Sequence, residues 1–431
     1  MYIRIVAILM LLAAFAQARE TTYVYPPGSH TLGFDRIGEW EIKLFLGLTA
    51  SYDNPQGLAA VKLKSQDDPD DKKDDVWLTL FGVNSGKGQV VYNPSRFEVS
   101  SFGKRGNGKN RFQDPLGISA NVEGQVAVAD AGNRRVVFLN MSGTELKWSG
   151  TVDRVDDPIL PTDLDWGGGL FWATDYSGNR ILRFGPQGEN PEQWPLQVED
   201  LEKPRGITLI VPGDEWSRSG RFGLLVVDHD GRRINLFDEQ GALQARRDVA
   251  DILGQEGKFI YPVSDLYGNF ILADSISGKL VKLDKKLRTL VVMDTLDADP
   301  VPLNQPRGLA LWRRYGQLFI VEEKGGAYLW TGTDIFNPRL DWKEHRSGKP
   351  ALMLQFVLSE ASLVTLHSVI DGKEVELRSE RRRGNGNVRQ WILIDHRVKG
   401  ASEIVIRARP TYSSKKTLVV EERLTIPEGG P

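Results

Sequence analysis

The chain of 431 residues contains no cysteine. That absence removes disulfides, thiolate metal sites, a cysteine nucleophile and a lipid-modified cysteine. Histidine is nearly as scarce. The five present, His30, His229, His345, His367 and His396, are too dispersed to suggest a zinc centre of three histidines. An excess of either charge is also missing, with 55 basic against 57 acidic residues and a formal net charge of −2. This balance argues against a chain-wide polyanion-binding surface and, with the export signal described next, against nucleic acid as a partner. No G-x-S-x-G elbow for serine chemistry occurs. No long segment carries the 3.6-residue apolar period of an amphipathic helix.

What is present begins with "MYIRIVAILMLLAAFAQARE". Arg4 precedes an unbroken apolar run from Ile5 to Ala16, and Ala16-Gln17-Ala18 offers small residues at the cleavage positions. This is the pattern of a secretory signal peptide cut after Ala18. The run is shorter than the ~20 residues a membrane span needs, so no span is expected after cleavage. A secreted or periplasmic protein is expected. At 40% hydrophobic residues it can build a core without disulfides, and its length predicts more than one domain of ~100–200 residues.

The rest of the chain repeats itself. Asp130, Asp175, Asp228 and Asp274 each close an apolar segment, as in "QVAVAD" and "GLLVVD", at intervals of 45, 53 and 46 residues. Five residues after each stands a base: Arg135, Arg180, Arg233 and Lys279. An aliphatic residue follows each base, and nine residues after each aspartate comes Leu139, Phe184, Phe237 or Leu283. A second signature, Pro-x-Gly before apolar residues, leads the units at Pro55, Pro115, Pro204 and Pro306. Relaxed copies at Pro161 ("PTDLD") and Pro262 ("PVSDL") bring the starts to six. Units of roughly 45 residues with about four short strands are what a β-propeller blade requires. The last unit lacks one strand, and "EWEIKLFLG", Glu39 to Gly47, has strand character without a unit of its own. We expect it to close the ring as the outer strand of the sixth blade.

The stretch from Phe102 to Asn140, "FGKRGNGKNRFQDPLGISANVEGQVAVADAGNRRVVFLN", resembles the NHL repeat. The resemblance covers about residues 39–331, is nearly complete in this unit and worn around Pro55, Pro262 and Pro306. It implies a six-bladed propeller and no particular activity, since propellers of this kind serve both as binding surfaces and as enzyme shells. Beyond Trp330, alternating strands with "DGK" and "KGAS" turns suggest a small sandwich. There "SEASLVTLHSVIDGKEV", Ser359 to Val375, is similar to the immunoglobulin-like domain of exported bacterial and flagellar hook-capping proteins, which implies a spacer or attachment module. The expected organisation is a signal peptide at 1–18, a leader at 19–38, an all-β propeller at 39–331, a linker at 332–349 and an immunoglobulin-like β-sandwich at 350–431.

In a propeller the Pro-led starts and the Asp-closed hairpins share one face. The residues after each proline, Gln56, Leu116, Thr162, Arg205, Val263 and Arg307, are expected to ring the channel mouth. Arg205 and Arg307 there suit an anionic group by bidentate hydrogen bonding. Asp163 and Asp265 stand where glycine is expected and, with Asp114, suggest a carboxylate cluster; calcium is the one metal this leaves open. His229, in "DHDGRR", is the only histidine in a propeller hairpin. The calcium lactonase propellers resemble this fold, but their Glu-Gly-Pro start is absent, the corresponding stretch being "NPQGLA". The charged runs "SQDDPDDKKDDV", Ser65 to Val76, and "ERRRGNGN", Glu380 to Asn387, read as solvated loops. The expectation is therefore an exported, monomeric, non-catalytic binding or scaffold protein with no required cofactor. Its expected contacts are Arg205, Arg307, Asp163, Asp265 and His229, and its expected partner is an envelope or extracellular protein or an anionic polysaccharide. The alternative is a calcium-dependent hydrolase with carboxylates at the mouth.

Overall fold

A computed structural model of the chain describes residues 23–24, 36–68, 70, 77–95, 98–197, 201–293, 303–384, 386–411 and 419–428. The expected signal peptide, most of the leader and much of the Ser65–Val76 run lie outside these residues.

The described chain is nearly all-β, with two short α-helices and a few 3-10 turns between its strands. Five sheets of four antiparallel strands follow one another, each with strands in simple chain order. The first runs Pro55–Val61, Thr79–Asn84, Gln89–Ser95 and Glu98–Phe102; the second begins at Pro115, the third at Pro161, the fourth at Gly206 and the fifth at Phe259. A sixth sheet, Gly308–Trp312, Gln317–Glu322 and Gly325–Thr331, completes the set. Each innermost strand packs on that of the next sheet, and Gly308–Trp312 packs on Pro55–Val61, so the six blades close into a propeller.

Continuous apolar runs such as "QVAVAD" follow from this closure. Val126 and Val128 pack into the seam with blade 1, while Ala127 and Ala129 pack into the seam with blade 3. A strand covered on both faces has no solvent side to alternate toward. Phe138, Phe171 and Phe184 meet in the seam of blades 2 and 3 at 5.8–6.1 Å between ring centres. Each such buried side chain contributes about 1.5–3 kcal/mol.

The repeated aspartates are structural and lie deeper than a surface ion pair would. Asp130, Asp175, Asp228 and Asp274 are fully buried. One carboxylate oxygen of each accepts the amide just ahead of its own inner strand, from Gln113, Leu160, Glu202 and Lys258. Asn84 serves Asp53, and Glu322 serves Asn304, in the same way. The base five residues on clamps the carboxylate in blades 2, 3 and 4, at 2.7, 2.8 and 2.6 Å. In blade 5, Asp274 instead accepts from the amide of Ser277 at 2.7 Å.

The ring closes differently from the expectation. Glu39–Leu46 is an α-helix, and the strand paired with blade 6 is Arg36–Ile37, opposite Gly326 and Ala327. The alternation of Trp40, Ile42 and Leu44 suggested a strand, but only Ile42 is buried; Trp40 and Leu44 are 67% and 58% exposed. Glu41 accepts the Gly38 amide at 2.7 Å and so starts the helix. Position 327 of blade 6, where blades 2 to 5 carry their base, is alanine. Arg36 arrives from the other end of the chain to grip Glu322 with two nitrogens, at 2.6 and 3.3 Å.

A second compact unit holds the chain from Trp330 onward together with Tyr23–Val24, which pairs with Trp330 and Thr331. It is a sandwich of a three-stranded sheet, with Pro350–Leu358 in the centre, and a four-stranded sheet, with Ser362–Ile370 and Glu403–Pro410 in the centre. Leu352, Leu354, Phe356, Leu366, Ile404 and Ile406 fill its core. The segment expected as a linker, 332–349, instead contains the first strand of this sandwich, Ile335–Glu344, which pairs with Pro350–Leu358.

Arg36→Ala leaves the Glu322 carboxylate, 5% exposed, without its guanidinium. The expected loss of stability is about 1–3 kcal/mol in chemical denaturation. Lys64→Ala, which breaks an exposed pair with Glu123, is expected to leave the denaturation midpoint unchanged.

Candidate functional site

The third residue of each inner-strand start stands on the propeller axis, and the strands crowd there. A Cβ on Gly57 would lie 2.8 Å from the Gly117 Cα, one on Gly117 would lie 2.5 Å from the Asp163 Cα, and one on Gly308 would lie 2.5 Å from the Gln56 carbonyl. Glycine is the residue that permits this approach. The two positions that are not glycine carry side chains into the gap.

One is Asp163, whose carboxylate reaches from blade 3 to accept the Ile207 amide of blade 4 at 2.9 Å. The other is Tyr261. The register Phe259 opposite Asp274 matches Pro115 opposite Asp130, so blade 5 starts at Phe259 and not at Pro262. Tyr261 thus takes the glycine position in a left-handed backbone, φ 50°, at a cost of about 1–2 kcal/mol. Its hydroxyl donates across the axis to the Gln56 side chain of blade 1 at 3.0 Å. Asp163 and Tyr261 together plug the channel. Burial pushes the Asp163 carboxyl well above its ordinary range, against the amides of Ile207 and Leu164. Burial, helped by Asp163, also raises the Tyr261 phenol.

Beyond the plug the six inner strands line an open cavity of about 240 Å³ with polar and apolar groups alike, and Asp214–Trp216 stand at its wall. Asp165 accepts the Thr208 hydroxyl at 2.9 Å and the Leu209 amide at 2.8 Å. Arg313 donates to the Leu209 carbonyl at 2.8 Å and to Ser264 at 2.6 and 3.0 Å. These bonds tie blades 3, 4, 5 and 6 together across the axis.

On the mouth side, Arg205 and Arg307 lie close enough to the plug to act on the Tyr261 phenol. Arg205 lies over the Tyr176 ring at 5.3 Å and is paired with Asp230. Lys258 also reaches Asp230, at 3.0 Å, and Arg232 stands 3.9 Å from it. Although partial burial pushes it up, Lys258 and Arg205 hold the Asp230 carboxyl below its ordinary value. Three cations thus share one carboxylate. Arg307 donates to Gln305 at 3.2 Å and stands 4.0 Å from Glu323, while its Nε is buried without a hydrogen-bond partner among the described residues.

The structure sorts the expected site residues. Arg205, Arg307 and His229 face the mouth, His229 half-exposed with its Nδ1 2.9 Å from Glu202. Asp163 belongs to the plug. Asp265 does neither: it lies in the turn between Ser264 and Phe270, at the far end of its inner strand, in a fully buried pair with Lys282 at 3.0 Å. It also caps that turn by accepting the amides of Tyr267 and Asn269. Val263 leaves the mouth ring for the same reason of register, and Ile260 takes its place. Asp114 is exposed and paired with Arg105, so the carboxylate trio does not assemble. Among the described residues no group of three or more His, Cys, Asp or Glu side chains is placed to hold a metal. Sequence reasoning missed Lys258, Arg232 and Asp230. Placing the blade 5 start at Phe259 would have put Lys258 at the mouth.

No family model matches the sequence, and no curated protein matches it. Solved structures with a similar chain path include a streptogramin B lyase (13% identity, TM-score 0.44, covering 65% of this chain and 95% of that one). A virginiamycin B lyase from Staphylococcus aureus (12% identity, TM-score 0.44, covering 75% and 95%) and a gluconolactonase-like protein (13% identity, TM-score 0.46, covering 72% and 94%) are also similar. Likenesses this distant carry no argument about activity.

The plug can be tested by titration. Below the ordinary carboxylate range Asp163 is protonated in both folded and unfolded chains. As pH rises, the unfolded chain loses this proton first, so stability falls as pH climbs toward the raised folded value. Asp163→Asn removes that penalty. Its melting temperature relative to the parent protein is expected to improve as pH rises above the ordinary carboxylate range, and a pH-independent difference would show that burial does not raise the Asp163 carboxyl.

Proposed function

We propose that this chain is an exported, non-catalytic binding or scaffold protein whose propeller mouth captures an anionic polymer or an acidic protein segment. One observation carries the reading: Arg205, Arg232 and Lys258 gather around the single carboxylate of Asp230, with Arg307 on the same mouth. Such a surface offers guanidinium donors in excess of their internal acceptors. The plug also denies a substrate passage into the channel from this side, so recognition is a matter of the rim.

The finer assignments belong to the same reading. The propeller is of NHL type, and the terminal sandwich is an immunoglobulin-like spacer or attachment module. The signal peptide sends the protein to the periplasm or the medium, where it works as a monomer on an envelope protein or an anionic polysaccharide. The calcium-dependent hydrolase is the competing reading. Against it stands the separation of Asp114, Asp163 and Asp265, each held by its own local partner.

Binding to an immobilised anionic polysaccharide such as alginate provides the test. Arg205→Ala combined with Arg307→Ala is expected to weaken capture at least about tenfold, equivalent to ~1.4 kcal/mol, with the melting temperature preserved. Lys258→Ala is expected to weaken it and flatten its salt dependence. Unchanged capture in the double variant removes the mouth from the site. For the competing reading, a chelator is expected to leave the melting temperature unchanged; a fall that added calcium reverses would favour the hydrolase.

A further inference from the structure

Blades 1 to 5 each turn at the mouth through four residues, 85–88, 131–134, 176–179, 229–232 and 275–278. In four of these turns the fourth residue alone is left-handed: Gly88, Arg134, Asn179 and Gly278, with φ of 62°, 54°, 50° and 75°. Blade 4 inverts the pattern. His229, Asp230 and Gly231 are left-handed, at 50°, 55° and 95°, and Arg232 is not, at −96°. Two adjacent residues other than glycine in this region are strained. Such strain persists only where surrounding contacts over-determine it.

Two sets of contacts hold the blade 4 turn. The Glu202 carbonyl accepts the His229 amide at 2.6 Å. Asp230 gives one carboxylate oxygen to Arg205 and the other to Lys258, the latter at 3.0 Å. In exchange the turn forgoes a bond that its counterparts make. In blades 2, 3 and 5 the third turn residue donates to the closing aspartate, from Asn133 at 2.8 Å, Gly178 at 3.2 Å and Ser277 at 2.7 Å. In blade 4 the donors to Asp228 are Arg233 and the Glu202 amide, and Gly231 is not among them. The common turn is thus a second form of the same length. It would return His229 and Asp230 to ordinary backbone and let Gly231 cap Asp228.

On the reading of the mouth as the binding face, we infer that Asp230 is a built-in competitor for the ligand. It occupies the place between Arg205 and Lys258 that a ligand carboxylate takes, and the blade 4 turn relaxes to the common form when that carboxylate arrives. A carboxylate fits because its two oxygens span the two cations, as those of Asp230 already do. Its source is a uronate polysaccharide. The rim keeps acids of its own, Glu202 beside His229 and Glu323 beside Arg307, which repel the adjacent carboxylates of an acidic peptide segment. One carboxylate per sugar ring spaces the charges apart. The internal pairs are partly exposed and individually weak, and relief of backbone strain offsets part of their loss. A modest difference in ligand affinity between the two forms therefore shifts the balance.

The full chain is to be titrated with alginate oligosaccharides and, for comparison, with poly-L-glutamate. Asp230→Asn keeps the side-chain shape and its tolerance of left-handed backbone but removes the charge. It is expected to bind alginate at least about tenfold tighter than the parent. Glu323→Gln removes the same charge from the same rim without vacating the place between Arg205 and Lys258, and is expected to gain less than about threefold. Asp230→Gly, equally at ease in this backbone, serves if the asparagine variant does not fold. Carbon-13 NMR of the Asp230 carboxyl in the parent reads its release directly. Against the effect of partial burial, Lys258 and Arg205 hold that carboxyl below its ordinary value in the free chain, and it is expected to return to the ordinary carboxylate range with alginate bound. No gain in Asp230→Asn, an equal gain in Glu323→Gln, an Asp230 carboxyl that stays low in the bound state, or tighter binding of poly-L-glutamate than of alginate would each overturn the inference and leave the mouth reading standing. Failure of both the parent and Asp230→Asn to bind alginate would overturn the two together.

Discussion

Every other feature of the propeller depends on one constraint: each blade is a sheet whose two faces are both apolar. A sheet with a wet face can stand at an edge, but these cannot. Val126 and Val128 need blade 1 as much as Ala127 and Ala129 need blade 3. The only arrangement in which every blade has two neighbours is a closed ring, so the two ends of the propeller chain must meet. The meeting is made by a backbone pairing of two residues and by one guanidinium. Arg36 supplies blade 6 with the base that the middle blades carry in their own hairpins, and the identity of the partner, Glu322 in place of aspartate, suits a side chain that arrives from a different strand.

Closure has a second consequence at the axis. Six inner strands cannot converge with ordinary side chains at the point of closest approach, and four of the six positions are glycine. The remaining two positions decide the character of the channel. Asp163 and Tyr261 turn it from an open tube into a plugged one, with a cavity of mixed lining on one side and a charged rim on the other. Burial pushes both groups toward their neutral forms, and the rim is left to the cations of blades 4 and 5 and Arg307. Chemistry that needs a substrate inside the channel is disfavoured from the mouth; recognition on the rim is not.

The repeat itself was legible in the linear order of residues, because a blade is made by neighbours in sequence: strand, turn, strand, with an aspartate bonded to the loop of its own unit. The closing helix was not. Trp40, Ile42 and Leu44 alternate like a strand, and what makes them a helix is the Glu41–Gly38 cap together with tolerance of two apolar residues on the outside. Asp265 was misplaced for a related reason. Pro262 imitates the proline of the other starts, but the pairing of Phe259 with Asp274 sets the register, and three residues of shift carry Asp265 from the mouth to the far turn. The strand Ile335–Glu344 was read as linker because half of its residues are charged or polar, as the exposed side of an outer strand in a sandwich is.

By itself the sequence determined the fold class, the number of blades and the residues that build each one, since these follow from local periodicity and from turn chemistry within about 45 residues. Two mouth arginines, Arg205 and Arg307, were also legible, because their place follows directly from the repeat. The tertiary structure alone decided which side chains meet across the ring. Asp163 reaches Ile207, Tyr261 reaches Gln56, and Lys258 joins Arg205 on Asp230. All of these lie between different blades. Their distances are set by how six sheets close on one another, and no spacing along the chain encodes that closure.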